Sequence, residues 1–482
     1  MSLRNKTISG VLWNAIELFT GKFIQIFITI ALARILVPSD FGTIALLVIF
    51  TELSKVLLDS GFSQALIRKN NTTEKDYNAI FYFNIVAGII LYVILFVISP
   101  YISDFYNFPE LTNIARIVFL TIIINSFGIV QNAIVIRDVN FKILAKRTIL
   151  ANLLAGLIAI YLANNGFGVW SLVVQIVLAA LLRVVLLWIS SAWKPSFTFS
   201  VDPIKELLPF SVNLLFSGII DVLASNIQML LIGKYYTASD LGFYSQAKVL
   251  SAMPSQILTS IVKNVTYPVL SAIKDDNSQL KQAYRKIITI AMFVIVPVMF
   301  TLVAIGNSLI PFVLGEKWIP SVEYFMLLSF VGAIYPLYSI NQNIFLAKGN
   351  SKLLLKVSVM QKSIAISGIL ITIQISVLAL VIGYVITTII NTLIIMYYAG
   401  KEINYTFKEQ LEDISSIMLI SSFMLVCVYA LGIKLNLEST LFVMMLQVLM
   451  ALVVYISFSF IFRLSVLAEF KDIYNRITEG KK

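Results

Sequence analysis

Long apolar runs recur from one end of the chain to the other. Each is closed by a short polar or Gly/Pro-bearing connection, among them "VPSD", "RKNNTTEKD", "SPYISDFYNFPE", "LANNGFG", "SAWKPSFTFSVDP", "AIKDDNSQ", "LGEKWIP" and "LAKGNSK". An α-helix needs about 20 predominantly apolar residues to cross the hydrocarbon core of a bilayer, and breakers of this kind mark its ends. The pattern predicts helices at 7–36, 40–67, 77–99, 111–136, 143–163, 167–190, 204–236, 240–269, 284–310, 320–347, 352–373, 376–399, 414–433 and 440–463. The expected fold is an all-α integral membrane protein with about fourteen transmembrane helices.

Composition agrees with that solvent. Of 482 residues, 59% are hydrophobic and 13% charged, and the mean hydropathy is +0.91. That is more apolar surface than a soluble chain of this length hides. The first run carries Asn14, Glu17, Lys22 and Gln25 and outlasts any signal-peptide core, so no cleavable leader is expected. Histidine is absent and Cys427 is the single cysteine. This excludes histidine general bases, histidine proton relays, Cys/His metal sites and intrachain disulfides. No catalytic residue, metal or cofactor is expected.

The net charge of +11 reads as membrane topology rather than nucleic-acid binding. With a cytoplasmic N-terminus, alternate connections collect about 25 of the 36 basic residues, including Arg68, Lys69, Arg137, Lys281 and Arg285. The opposite side receives Arg34, Lys234, Lys317 and Lys434. Both termini are therefore expected in the cytoplasm. Outer connections are short, which counts against a membrane polymerase or ligase that needs a folded loop for its active site.

One turn is written twice. "LVPSDFGTIAL" holds Ser39, Asp40 and Gly42, and "YTASDLGFYSQ" holds Ser239, Asp240 and Gly242, with Arg34 and Lys234 in matching places before them. The second copy follows the seventh predicted helix as the first follows the first. The chain thus reads as two six-helix bundles related by a pseudo-two-fold along the membrane normal. Residues 1–200 form the N-lobe, 201–400 the C-lobe, and 401–482 two further helices with a cytoplasmic tail. The Ser-Asp pair is expected to cap the following helix. Prolines are unevenly placed: Pro209, Pro254, Pro297 and Pro336 fall inside predicted helices 7 to 10 and none falls in the central spans of helices 1 to 6, so bending is expected in the second lobe.

The stretch "LGFYSQAKVLSAMPSQILTSIVKNVTYPVLSAIKDD" resembles the helix-8 signature of polysaccharide transporters, a branch of the multidrug/oligosaccharidyl-lipid/polysaccharide exporter superfamily, with Tyr267 where the pattern has phenylalanine. "SGVLWNAI", "ILVPSDFGTIAL" and "DSGFSQALI" resemble the first two helices of the same branch. The resemblance implies a flippase for lipid-linked oligosaccharide, with helices 1, 2, 7 and 8 around a central cavity. A polysaccharide polymerase and a chain-length regulator are the protein partners it implies.

Those four helices are also the most polar. Asn14, Glu17, Gln25 and Thr29 share an arc of helix 1 edged by Lys22; Glu52, Lys55 and Asp59 share a face of helix 2. Helix 7 groups Asn213, Ser217, Asp221 and Gln228, and helix 8 groups Lys248, Ser255, Gln256, Thr259 and Lys263. A charge at the bilayer centre costs about 2.5–3.5 kcal/mol on insertion scales, so each should face protein, water or cargo. Lys55 with Asp59 also reads as an intrahelical pair, and Lys263 as a residue reaching the cytoplasmic interface. No acidic residue stands three or four positions from Lys248.

The expected cargo is a polyprenyl-pyrophosphate-linked oligosaccharide. Lys248, Lys55, Lys22 and Lys263 would offset phosphate charge, and Gln25, Asn213 and Gln256 would meet hydroxyls. Glu17, Glu52, Asp59 and Asp221 are candidates for coupling to a proton or sodium gradient. The protein is expected in the cytoplasmic (inner) membrane as a monomer in contact with lipid and without nucleic acid. A peptidoglycan-precursor flippase and a multidrug or cation exporter of the same superfamily stay open as alternatives.

Overall fold

The computed structural model describes residues 3–467 except 60, 70, 139, 199, 274–275, 436–439 and 465. Among the described residues the regular secondary structure is all helical. The first eight helices are α1 (Leu3–Ile35), α2 (Pro38–Asp59), α3 (Phe62–Arg68), α4 (Glu74–Tyr106), α5 (Leu111–Ser126), α6 (Ile129–Arg137), α7 (Phe141–Asn164) and α8 (Val169–Ser190). They are followed by α9 (Asp202–Tyr235), α10 (Ala238–Ala272), α11 (Asn277–Leu314), a 3-10 turn (Glu316–Ser321), α12 (Val322–Lys348), α13 (Ser351–Thr372), α14 (Val377–Glu402), α15 (Phe407–Lys434) and α16 (Thr440–Ile461). Among the described residues, eleven spans are long and apolar enough to cross a membrane, or up to twelve when the bent pair α5–α6 counts as one. The chain is a multi-pass membrane protein.

Two predicted helices are broken. Gly61, at φ +75°, separates α2 from α3 within the predicted span 40–67. In the span 111–136, α5 and α6 are bent by 47° across Phe127 and Gly128. Both breaks fall beside polar residues, Asp59 and Ser63 around the first and Asn125 and Ser126 before the second, within runs whose overall length and hydropathy read as single spans. The proline asymmetry also narrows, because α4 runs on to Tyr106 and so encloses Pro100.

Proline leaves the carbonyl four residues back without its helical donor. At two of the prolines inside helices a distant side chain replaces it. The Tyr455 hydroxyl of α16 donates to the Phe293 carbonyl at 2.9 Å, four residues before Pro297. The Ser255 hydroxyl of α10 donates to the Gly332 carbonyl at 2.6 Å, four residues before Pro336. In a medium without water each such bond spares an orphaned acceptor.

The repeated turn is capped by its aspartates rather than its serines. Asp40 Oδ2 accepts from the Val37 amide at 3.2 Å, and Asp240 Oδ2 accepts from the Thr237 amide at 3.1 Å. Thr237 completes the reciprocal bond, its hydroxyl accepting from the Asp240 amide at 3.1 Å; Val37 has no hydroxyl to do so. The second copy is thus a full capping box and the first is half of one.

Contacts divide the chain into two compact units, residues 1–242 and 243–482. In the first, α1 packs on α7, α7 on α8 and α4 on α5, while α9 runs along α2 and α3. The 191–201 connection is docked on α4: Asn78 Nδ2 donates to Ser196 Oγ at 2.6 Å and its Oδ1 accepts from the Ser196 amide at 3.0 Å. In the second unit α11 is central, packed by α12, α15 and α16 around Tyr284, Met292, Phe300 and Phe345. Lipid tails are as apolar as these side chains, so close packing and hydrogen bonds hold the helices more than burial does.

Candidate functional site

In the first unit, α1 lies on α7 through Gly21, where a Cβ would sit 3.4 Å from Thr148 Cγ2. Lys22 and Gln25, one and four residues on, are exposed. On α2, Lys55 donates to Glu52 Oε1 at 2.6 Å and both side chains are largely exposed. Lys55 therefore pairs with the acid three residues before it, not with Asp59. Asp59 instead accepts from Ser63, through the hydroxyl and through the amide at 3.3 Å, holding the chain where Gly61 breaks the helix. On α9, Ser217 and Asp221 are exposed and Gln228 is buried. The side chains of Glu17 and Asn213 lie outside the described residues, as does that of Lys263 on α10.

In the second unit, Lys248 is half-buried with its Nζ 6.0 Å from the centroid of the buried Tyr244 ring. Gln256 is exposed. Ser255, grouped with them in the sequence, serves the Gly332 carbonyl and so belongs to packing. Thr259 is buried and its hydroxyl has no hydrogen-bond partner.

The first unit also holds a charged cluster that sequence reasoning counted only as topology. Lys69 Nζ lies 2.7 Å from Glu206 Oε2 on α9 and 3.1 Å from Asp76 Oδ1 on α4. Asp76 is already fixed by its capping box with Thr73. The signal was weak, since Glu206 is 137 residues away. The Glu206 carboxylate beside it, and then Asp76, raise the Lys69 pKa above the usual 10.5, against some desolvation. The pairing is complete below the ordinary lysine value and is lost only as pH rises through the raised one, so pH between about 6 and 9 leaves it unchanged. Glu206 is the exposed partner, and exposed pairs contribute about 0–1 kcal/mol, which makes the Lys69–Glu206 leg a releasable tie while Asp76 stays buried. Glu206→Lys should therefore speed thiol modification of a Ser211→Cys reporter several-fold, Ser211 being 1% exposed on α9. An unchanged rate would mean that the cluster holds nothing closed.

Known proteins share this outline. A family profile described as "Polysaccharide biosynthesis protein" matches residues 31–323. The chain belongs to that family. This family member is 28% identical over 355 residues to the teichuronic acid biosynthesis protein TuaB of Bacillus subtilis, covering 73% of each chain. It is 24% identical over 447 residues to the lipopolysaccharide biosynthesis protein WzxC of Escherichia coli, covering 90% of this chain and 89% of that one. The solved lipid II flippase MurJ, in an inward closed conformation, superposes with a TM-score of 0.78 at 16% identity over 94% of this chain and 98% of that one. A multidrug resistance MATE family transporter of the MOP superfamily, inward-facing, gives 0.64 at 15% identity, covering 82% of this chain and 99% of that one. At such identities these likenesses show the fold alone, that of an all-α membrane protein.

Proposed function

We propose that the protein is a flippase, not an enzyme, that moves polyprenyl-pyrophosphate-linked oligosaccharide repeat units across the cytoplasmic membrane by alternating access. The units would feed a cell-surface polysaccharide: an O-antigen, a capsule or an exopolysaccharide. The observation that carries the reading is the family match, together with relatives named for teichuronic acid and lipopolysaccharide biosynthesis along most of the chain. The chemistry is compatible with it, because cations placed in otherwise apolar helices suit a pyrophosphate and exposed amides suit sugar hydroxyls. We assign cargo contact to Lys22, Lys55, Lys248 and Lys263, with Gln25, Asn213 and Gln256, and ion coupling to Glu17, Glu52, Asp59 and Asp221. The protein acts as a monomer ahead of a polysaccharide polymerase and its chain-length regulator.

Deletion should leave lipid-linked repeat units accumulated on the inner leaflet while their synthesis continues. Accumulation of peptidoglycan precursor instead would reassign the cargo, and no accumulation would end the reading. Fourteen spans with both termini inside belong to the same proposal. In a Cys427→Ser background, Asn107→Cys should react with a membrane-impermeant maleimide from outside, and Asn277→Cys only after permeabilisation; both residues are exposed. The reverse pattern would invert the topology.

A further inference from the structure

One stripe of α12 stays open, and its residues do not suit a face turned to lipid. Among the described spans, the one that contains α12 is the most buried. Tyr335, Tyr338, Gln342 and Leu346, spaced three and four apart along one line of the helix, are nevertheless not buried. Other open faces are aliphatic over their central turns: Val86, Ile89 and Val93 on α4, and Ile382, Ile386 and Ile390 on α14. Exposed tyrosines of membrane helices gather at the two interfaces with water. Tyr335 is 40% exposed and is the middle residue of α12 (Val322–Lys348), which sets it about 20 Å from either end. That is too deep for an interfacial belt.

The stripe is also organised. The Gln342 amide donates to the Tyr338 hydroxyl at 3.0 Å. The Tyr335 and Tyr338 ring centroids lie 6.4 Å apart, with planes inclined by 32°. Two ring faces, two hydroxyls and a carboxamide thus stand within two turns of helix. The C–H faces of a pyranose pack on aromatic rings while its hydroxyls need donors and acceptors at the rim, and tyrosine and glutamine supply both. An acyl chain would use none of the polar atoms. Beside the stripe, the Ser255 bond to the Gly332 carbonyl fixes α10 against α12. One span separates these two helices in the chain, so they run in the same direction. Lys248, seven residues before Ser255, therefore stands about 15 Å along the axis from Tyr335, three residues after Gly332. Tyr384 of α14 is within electrostatic range both of Tyr335 and of Tyr244, the ring beside Lys248. A pyrophosphate at Lys248 would accordingly bring sugar rings, not phosphate, to the tyrosines of α12.

We propose that Tyr335, Tyr338 and Gln342 form a platform for the pyranose rings of the lipid-linked oligosaccharide, the tyrosine faces taking the rings and Gln342 their hydroxyls. The proposal rests on the flippase reading and deepens it by naming the surface that meets the sugar. In a Cys427→Ser background, Tyr335→Cys should react with a charged, water-soluble methanethiosulfonate reagent in proteoliposomes. Ile386→Cys, 52% exposed on the aliphatic face of α14, should not. An unreactive Tyr335→Cys would put the stripe against lipid and overturn the platform. Tyr335→Ala should lower transport of repeat units at least about tenfold at unchanged abundance, while Tyr335→Trp, which keeps a ring, retains most of it. Leu346→Ala, at the end of the stripe, should transport normally. Where the alanine variant does not accumulate, Tyr335→Leu, which keeps apolar volume without a ring, takes its place. Binding separates sugar from phosphate: polyprenyl pyrophosphate without sugar should bind Tyr335→Ala as it binds wild type, and Lys248→Ala several-fold more weakly. Loss of this sugar-free lipid by Tyr335→Ala would make the tyrosine part of the phosphate site, and normal transport would make it packing; either result overturns the platform. A wild-type protein that binds no polyprenyl pyrophosphate, and whose deletion accumulates no repeat units, would instead end the flippase reading while the thiol result stood.

Discussion

Lys248→Ala should abolish transport and leave the protein as abundant in the membrane as before. Lys248 lies ten residues into α10, about 15 Å along the helix axis from its first residue, which on the proposed fourteen-span topology is near the middle of the bilayer core. A cation there costs about 2.5–3.5 kcal/mol on insertion scales. The Tyr244 ring, with its centroid 6.0 Å from Nζ, offsets about 0.5–2 kcal/mol of that. On the proposed function the charge is kept at that depth for an anionic cargo. Lys248→Arg should retain part of the activity, since the charge persists while the donor geometry changes. Transport at the normal rate by Lys248→Gln would make Lys248 a packing residue.

The second large effect is expected where α15 meets α11. Arg285 donates to both oxygens of Asp413, from Nε at 2.7 Å and from a terminal nitrogen at 2.5 Å. Lys281, one turn earlier, donates to both oxygens of Glu409 at 2.8 and 3.0 Å. Tyr405 adds its hydroxyl to Asp413, whose side chain is 16% exposed. Breaking a buried pair from one side typically costs about 3–5 kcal/mol, and the Arg285 side is more open, which lowers that figure. Arg285→Glu adds repulsion to the loss and should remove most of the folded, monodisperse protein. The exchange Arg285→Glu with Asp413→Arg should recover a clear share of it. Equal stability of the single reversal and the wild type, read as thermal midpoints in detergent, would show that α15 is held by packing alone.

The two clamps illustrate what a sequence can disclose. Lys281 and Arg285 are four apart, as are Glu409 and Asp413, so the spacing was visible; the partner was not, because 128 residues separate them. Helix positions were legible because the bilayer sets a length and the connections carry breakers. The breaks at Gly61 and Gly128 were not, since a glycine beside a few polar residues leaves the mean hydropathy of a long run high enough for one span. The repeated turn was legible as a duplication, yet its glycines acquired a meaning only when Gly42 and Gly242 were found against each other's backbone. Among the candidate site residues, the spacing of Lys55 from Asp59 suggested a pair, whereas the helix presents Lys55 to Glu52 and leaves Asp59 to Ser63. Ser255 looked like cavity lining because its face is polar; its donor is in fact occupied by a carbonyl that Pro336 had freed.

The bond from Tyr455 to Phe293 spans 162 residues and ties the last described helix to the main-chain wiring of the most central helix of the second unit. In engineering terms α16 is no dispensable tail. A chain truncated ahead of residue 455 would keep every residue of α11 and lose the donor that satisfies the carbonyl freed by Pro297 in lipid. Tags and fusions are best placed beyond α16, and shortening the chain from its C-terminal end should be judged by the behaviour of α11, far upstream of the cut.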